Sequence, residues 1–479
     1  MSSSAINLAG MQAPQQFRNK IINGNFDIWQ RGITFGTHDD SLDYGPLANG
    51  LGATGSNGLA NIGNGDTIKN NPYVSPVAQR GGAQADGNII KDKAYTADRW
   101  RLMNRSGWKG HVVRKEFDWS DVDDLLPAGS SPARYYMEHS VEYEGNNSSM
   151  SQRIEDVTIF NNEKITVSFY ARRVPTSERP DSNLNRMRAH LMAYTKCTGS
   201  NINSGDSSNS PDGSPLYNVN SNYQLYSDMG AEEVLTDDWK KFTYTFIIPQ
   251  MAGKLDGNGN AVTPGEGFWV INLKPMTTAI DEDTGDGVPW LGAVHYAQVQ
   301  VEKKDDTTEF ELLPPGIELQ RCQRYFQKSL NLENEPGATA AQINTAAGHI
   351  IDDAIESSVD ASILIHMPGL MSIEYSSTGM SAPFRFHTPM RDTPEIFIYS
   401  VFGNRGWYGS QYVPNNGEQV TTDGYNEDTY PDGNAFNETK VRKISGISTT
   451  GWQHMHGANE LLPYGGSDST FYWTADAEL

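Results

Sequence analysis

The chain has 479 residues and carries 59 acidic against 37 basic side chains, a formal charge of −22. Such a balance repels phosphate backbones, and no Lys/Arg-rich run overrides it, so nucleic acid is not an expected partner. The length exceeds what one compact core accommodates and predicts two or three domains.

From the amino end, "MSSSAINLAGMQAPQQF" lacks the basic start and apolar stretch of a secretory signal, so residues 1–18 are expected to form an arm on a cytosolically made protein. No run in the chain approaches the roughly twenty apolar residues of a membrane span, and no membrane insertion is expected. Residues 19–32, "NKIINGNFDIWQRG", combine a short β-prone run, an Asn-Gly turn and a Trp, with no apolar helix face and no nucleotide-binding glycine pattern. Residues 35–93 are rich in Gly, Asn and Ala, and residues 198–222 and 251–267 are similarly polar. These three segments are expected to run over the surface or against a neighbouring subunit.

Strand-type alternation dominates between those loops. In "YYMEHSVEYEG", Tyr135, Met137, His139, Val141 and Tyr143 share one face, and Glu138, Ser140, Glu142 and Glu144 the other. "KITVSFYARR" sets Ile165, Val167 and Phe169 against Thr166, Ser168 and Tyr170; "KKFTYTFIIP" sets Phe242, Tyr244 and Phe246 against Lys241, Thr243 and Thr245. "GFWVINLKP" and "HYAQVQVE" add two more strands. A period of two with one apolar face predicts antiparallel sheets packed face to face, an all-β sandwich with one buried and one solvated face per strand.

A boundary falls at Pro314-Pro315-Gly316, after which a short amphipathic helix over residues 317–326 places Leu319, Cys322 and Phe326 on one face. Cys197 and Cys322 are the only cysteines. They are too few for a disulfide framework, and whether they pair stays open, although a reducing cytosol fits. Beyond the helix, "ASILIHMPG", "PFRFHTP", "EIFIYSVFG" and "STFYWTADAEL" predict a second β-rich block. The expected division is an arm over 1–18, a domain over 19–313, a hinge and helix over 314–330, and a second β domain over 331–479.

The ordered set of motifs carries a resemblance. "NKIINGNFDIWQRG", "YTADRW", "MSQRIEDV" running into "ITVSFYARR", "LTDDWKKFTYTFIIP", "AQVQVEKKDDTTEFEL", "IELQRCQRYFQKS", "FRFHTPMRDTPEI" and the terminal "WTADAEL" resemble phage virion proteins of the tail-fibre or receptor-binding type. Those proteins begin with a carbohydrate-binding-module-like jelly roll, and the opening also resembles galactose-binding-like jelly rolls of polysaccharide-degrading enzymes. The resemblance implies that residues 19–32 are the first strand and corner of the sandwich, with Asn23-Gly24 as the turn and Phe26 and Trp29 buried. It implies Trp29, Trp100 and Trp239 as core, and Asp27 as an acid that helps hold a structural calcium, with no other cofactor required. The alternative for Asp27 is a turn acid bonded to its own backbone. Residues 35–93 depart from the pattern, where related chains have a much shorter link. The location implied is the virion, with other virion proteins, two further copies of the chain in a homotrimer, and host surface polysaccharide as partners.

Sugar binding needs exposed aromatics as platforms with amides and acids beside them, because a π face matches the C–H face of a pyranose. Trp108, Trp290, Trp407, Tyr408, Tyr412 and Tyr425 are the candidates, each weighed against packing in a core or interface. "GWQHMHGAN" places His454 and His456 two apart, on one face of a strand. Two imidazoles from each of three chains suit a metal on a three-fold axis, as in the tail fibres of T-even phages; the plainer alternative is two exposed loop histidines. Asp118, Asp121, Asp123 and Asp124 in "DWSDVDDLL" read as a solvated acidic run rather than a glycosidase pair. The function expected is a non-enzymatic receptor-binding adhesin. The alternatives are a capsid-attached fibre or decoration protein, and a polysaccharide depolymerase or its accessory module.

Overall fold

A computed structural model describes residues 17–36, 95–103, 111–122, 124–141, 148–195, 224–256, 259–279, 288–330, 332, 371–372, 381–400, 407–408, 411–412, 442–456 and 470–478. The chain forms two compact units: Met1–Asp27, Leu102–Trp108 and Arg114–Pro314 in the first, and Ile28–Arg101, Lys109–Val113 and Pro315–Leu479 in the second. One of the boundaries between them falls between Pro314 and Pro315. The second unit also takes in residues 28–101, which a continuous division assigns to the first, and the cluster of contacts below gives the reason.

The first unit is a jelly-roll β-sandwich. One sheet has the order β4 (Tyr135–Val141), β12 (Gly292–Glu302), β6 (Lys164–Arg173), β10 (Lys240–Ile247), with β3 (His111–Glu116) outside β4. The other runs β5 (Ser149–Glu155), β11 (Phe268–Met276), β7 (Arg186–Tyr194), β8 (Gln224–Met229), with β2 (Trp100–Met103) outside β5 and the short β9 (Glu233–Val234) on β7. Sequential strands pass back and forth between the sheets, the jelly-roll arrangement. The pairings of β12, β6, β10, β5, β11, β7 and β8 are antiparallel. Alternation explains the core: Phe242, Tyr244 and Phe246 are buried while Thr243, Thr245 and Ile247 are exposed. The Tyr244 hydroxyl crosses between the sheets to donate to the Met187 carbonyl on β7 (3.0 Å).

One expectation fails on β4, β6 and β12: their outer face is buried too. All of β12 is buried, as are Glu138, Ser140, Thr166 and Ser168. The cause is two covering segments. Leu125 and Leu126 pack on Phe117, Tyr136 and Trp239 over that face, and the Thr166 hydroxyl donates to the Lys304 carbonyl (2.8 Å).

The opening stretch is not a strand. It is irregular backbone that fills the edge of β12 where β4, paired only as far as Tyr296, has ended. Lys20 N–H donates to Val301 O (2.9 Å), Val301 N–H to Asn19 Oδ1 (3.0 Å), and Val299 N–H to Gly24 O (2.8 Å). The Gln152 side chain on β5 bonds both backbone groups of Ile22 at 2.8 Å. Asn23 turns the chain at φ 57°. A Cβ on Gly24 would lie 2.1 Å from Val299 O, so only glycine allows the approach. Phe26 is buried in this unit, and Trp29 and Trp100 are buried in the second, in line with the core roles the resemblance implies.

In the second unit, helix α1 (Pro315–Gln323) is shorter than expected. It buries Cys322, but Phe326 belongs to the next element, β13 (Phe326–Lys328), so the two do not share a helix face. Strand β21 (Thr470–Asp476) pairs with β13, β14 (Met371–Ser372) and β16 (Glu395–Ser400). A second sheet has the order β15 (Ser381–Arg385), β20 (Gly451–His456), β19 (Arg442–Ser448). Trp452 and Trp473, edge-on at 6.2 Å, join the sheets through a core with Phe386, Met390 and Ile396. Strand β1 (Thr34–Gly36) pairs with residues 111–113.

Residues 28–32 and 95–101 belong here because their charges meet Asp476 and Glu478. Arg31 pairs with Asp476 (3.2 Å), Glu478 (3.3 Å) and Asp98 (3.8 Å), its guanidinium 3.8 Å above the Phe326 ring. Arg99 pairs with Glu478 and lies 3.5 Å above Tyr325. Burial works against the Arg31 charge, but Asp476, Glu478 and Asp98 outweigh it and hold its pKa above the ordinary value. Burial also pushes Asp98 up to about 6, against the opposing pull of Arg31 and Gln30. "IWQRG", "TADRW", "RYF" and "TADAEL" are thus parts of one buried ionic cluster.

Candidate functional site

Among the aromatics whose exposure is described, Trp119, on the segment that leaves β3, stands out at 59%, ahead of Phe17 at 40%. It was passed over in the sequence because it sits inside the acidic run "DWSDVDDLL". Beside it runs a groove of about 180 Å³ lined by Phe117, Trp119, Leu125, Leu126, Ser131 and Pro132. Ser130 and Ser131 also line a smaller polar cavity of about 40 Å³ with Tyr170, Lys241, Gln298 and Glu309. An aromatic face, an apolar floor and adjacent hydroxyl, amide and ammonium groups are therefore grouped on one surface of the jelly roll. Gln298, at φ 51° beside the β12 bulge, donates from Nε2 to Ser131 O (2.6 Å) and ties the groove wall to the sheet.

The segment carrying Trp119 is anchored at Asp124. Its carbonyl accepts from Trp239 Nε1 (2.9 Å), its Oδ2 accepts from Asp118 N–H (2.8 Å), and its Oδ1 pairs with Arg172. Trp239 is core, as the resemblance implies. Arg172 in turn donates from Nε to His295 Nδ1 (3.1 Å), which leaves the neutral ring's proton on Nε2, 2.7 Å from Glu138 Oε2. Burial, together with Arg172 and Lys115, lowers the His295 pKa despite Glu138. The Ser120 hydroxyl and backbone hold Asp118 below the usual carboxylate range, the opposite of what a glycosidase acid requires.

The other candidates fall out differently. Trp290 is a correction: it is 1% exposed, its indole N–H donates to Ser148 O (3.1 Å), and its ring meets His139 edge-on at 5.2 Å, so it anchors the core and presents no face to a sugar. Trp407, Tyr408 and Tyr412 lie on the hairpin β17 (Trp407–Tyr408) and β18 (Gln411–Tyr412), with Trp407 and Tyr412 as cross-strand partners. Trp108, Tyr425, Asp123 and Cys197 lie outside the described residues. His454 and His456 are two apart on β20, opposite Ile444 and Arg442 of β19. Asp27 is half-buried and accepts from the Asn25 amide (3.1 Å). Among the described residues no group of three His, Cys, Asp or Glu is placed to hold a metal. No helix among them is long and apolar enough to cross a membrane.

No protein-family profile and no curated protein matches this chain. Solved structures show partial likenesses of fold. An enzymatically active domain of a Bacteriophage CBA120 tailspike protein is 10% identical, with 43% of this chain and 19% of that one covered and a TM-score of 0.23. A family 11 carbohydrate-binding module from Clostridium thermocellum, solved with a mixed-linked tetrasaccharide, is 11% identical over 44% of this chain and 91% of that one, TM-score 0.22. A Stig cyclase from Fischerella sp. TAU is 14% identical over 43% and 85%, TM-score 0.25. This chain thus spans under a fifth of the tailspike domain. Superpositions at this level carry no argument about function, and the sandwich stands on its own strand order.

Proposed function

We propose that the chain is a non-enzymatic, glycan-binding adhesin of a phage virion, of the tail-fibre or receptor-binding kind, and that the Trp119 groove is its sugar contact. The observation that carries the proposal is a tryptophan left 59% exposed beside an apolar groove with hydroxyl and amide groups at its end. Burying such a face costs little and gains stacking on a pyranose. The virion role rests on the ordered motifs of the sequence. A contact of this size gives millimolar to micromolar binding per chain, roughly −4 to −8 kcal/mol. Three chains per fibre and several fibres per particle would multiply this without new contacts. Sedimentation at monomer mass over a wide concentration range would remove the trimer from the proposal.

The test is virion adsorption and retardation of the purified chain in gels containing host polysaccharide. Trp119→Ala is expected to weaken both at least about tenfold, a hot-spot loss. The hairpin aromatics are the competing position, so Trp407→Ala with Tyr408→Ala is run beside it. Loss only in the double variant moves the contact there; loss in neither sinks the glycan reading. Release of reducing sugar from the same polysaccharide would replace the adhesin with a depolymerase.

A further inference from the structure

The chain of buried and half-buried groups behind the groove has no part in the sugar contact itself. Glu138 of β4, His295 of β12, Arg172 of β6 and Asp124 of the covering segment form one line of contacts: Glu138 Oε2 to His295 Nε2 (2.7 Å), His295 Nδ1 from Arg172 Nε (3.1 Å), and Arg172 to Asp124. Lys115 of β3 reaches Glu138 at 3.8 Å, and the rings of Tyr136 and Trp239 lie 4.7 and 6.1 Å from the imidazole. The line works in one protonation state only. A neutral ring with its proton on Nε2 accepts from Arg172 and donates to Glu138. A proton taken from solvent onto Nδ1 turns that acceptor into a donor facing a donor, and sets two cations side by side in a buried place. Arg172 then loses the contact that aims its guanidinium at Asp124. Asp124 is also where the covering segment is fastened, through Trp239 and through the Asp118 N–H next to Trp119.

We propose that His295 is a positioning residue for the Trp119 groove: through Arg172 it fastens Asp124 and the segment over residues 117–133, so that the groove holds its ligand at neutral pH and releases it in acid. The release of ligand rests on the glycan reading above; the fastening does not. The lowered His295 pKa agrees with a ring kept neutral at pH 7 and charged only in more acidic surroundings.

Hydrogen exchange separates the two. With intrinsic rates corrected for pH, peptides over residues 117–133 of the full chain are expected to lose at least about tenfold in protection between pH 7.5 and 4.5. Peptides over β6 and β10 serve as the internal standard. His295→Gln, which accepts and donates but does not take up a proton in this range, is expected to remove the pH dependence. Equal protection of the segment at both pH values, or an unchanged pH dependence in the variant, overturns the fastening. Should the variant fail to fold, nitrogen NMR of the native imidazole decides: a proton on Nδ1 at pH 7 overturns the proposal, and an Nε2–H tautomer that titrates with the loss of protection supports it. Acid-labile protection without binding to host polysaccharide at any pH sinks the glycan reading alone. Retardation in polysaccharide gels that is unchanged by pH, with protection still acid-labile, overturns the proposed release.

Discussion

On the outer face of β12 the buried charges come from adjacent strands and one covering segment, and they centre on a neutral histidine. In the second unit the buried charges come from residues 28–32, 95–101, 325–328 and 473–478, and they centre on two arginines that keep their charge. Arg31 and Asp476 are separated by 445 positions in sequence; His295 and Glu138 by 157. A network with a neutral member can be opened by a proton. The arginine-centred network keeps its cations over the same range, although its Asp98 is raised to about 6; removing a partner opens it, because a lone buried ion costs far more than the pair gains. The difference suits one network to holding residues 473–478 in place and the other to holding a loop that must respond.

The comparison breaks first at Arg31. Arg31→Met leaves Asp476 and Glu478 facing Asp98 without their shared cation, and urea denaturation is expected to show a loss of about 3–5 kcal/mol. Arg172→Met is expected to cost less, since Arg172 and Asp124 are 15% and 16% exposed. Equal losses would mean that the two networks do not differ in kind.

Next in size is Gly24→Ala, where the new Cβ meets Val299 O and forces the opening stretch off β12. Overpacking of this sort is expected to cost about 1–3 kcal/mol. Faster exchange of the Val299 and Val301 N–H groups would show that the loss is local to that edge. An unchanged denaturation midpoint would mean that the stretch is not fastened there.

Acid sharpens the contrast, because the two units are expected to respond with opposite sign. His190 on β7 is held down at about 4 by burial and by Lys274 and Arg188, and His295 is also lowered. The stabilising contribution of each is therefore complete above about 6.5 and is lost as the pH falls through its lowered pKa, about 4 for His190. Asp98 is raised to about 6, so its contribution is present below about 3.8 and is lost as the pH rises through 6. Site-resolved exchange between pH 7 and 4 should show the jelly roll weakening while the second unit gains, and Asp98→Asn should abolish that gain. The smallest effect belongs to Trp119→Ala. At its exposed position, stability should stay within about 0.5 kcal/mol even where binding is lost.

Much of the sandwich was legible because its cause is local. Period-two alternation at residues 242–246 follows from strand geometry, and those residues lie where the pattern puts them, as do the apolar Ile165, Val167 and Phe169. The same rule put Glu138 and Ser140 in water and failed, since nothing in "YYMEHSVEYEG" announces a segment that will cover its polar face. Trp119 was missed for a related reason. An aromatic among four aspartates reads as part of a solvated run until Leu125 and Leu126 are seen to line a groove with it. Trp290 erred the other way, because a Trp between Pro and Leu near a loop gives no sign that Ser148 waits for its indole N–H.

What the sequence determined by itself is the all-β class, the Asn-Gly turn at residues 23–24 and the acidic balance, each of which depends on residue type and near neighbours. The core roles of Phe26, Trp29, Trp100 and Trp239 followed from the resemblance of the ordered motifs. Only the tertiary structure decided which distant motifs belong together, that "IWQRG" and "TADRW" close on "TADAEL", and that His295 stands between Glu138 and Arg172. Ion pairs and hydrogen-bond chains of that kind depend on distances of a few ångströms between residues far apart in the chain, and one sequence read alone has no term for that separation.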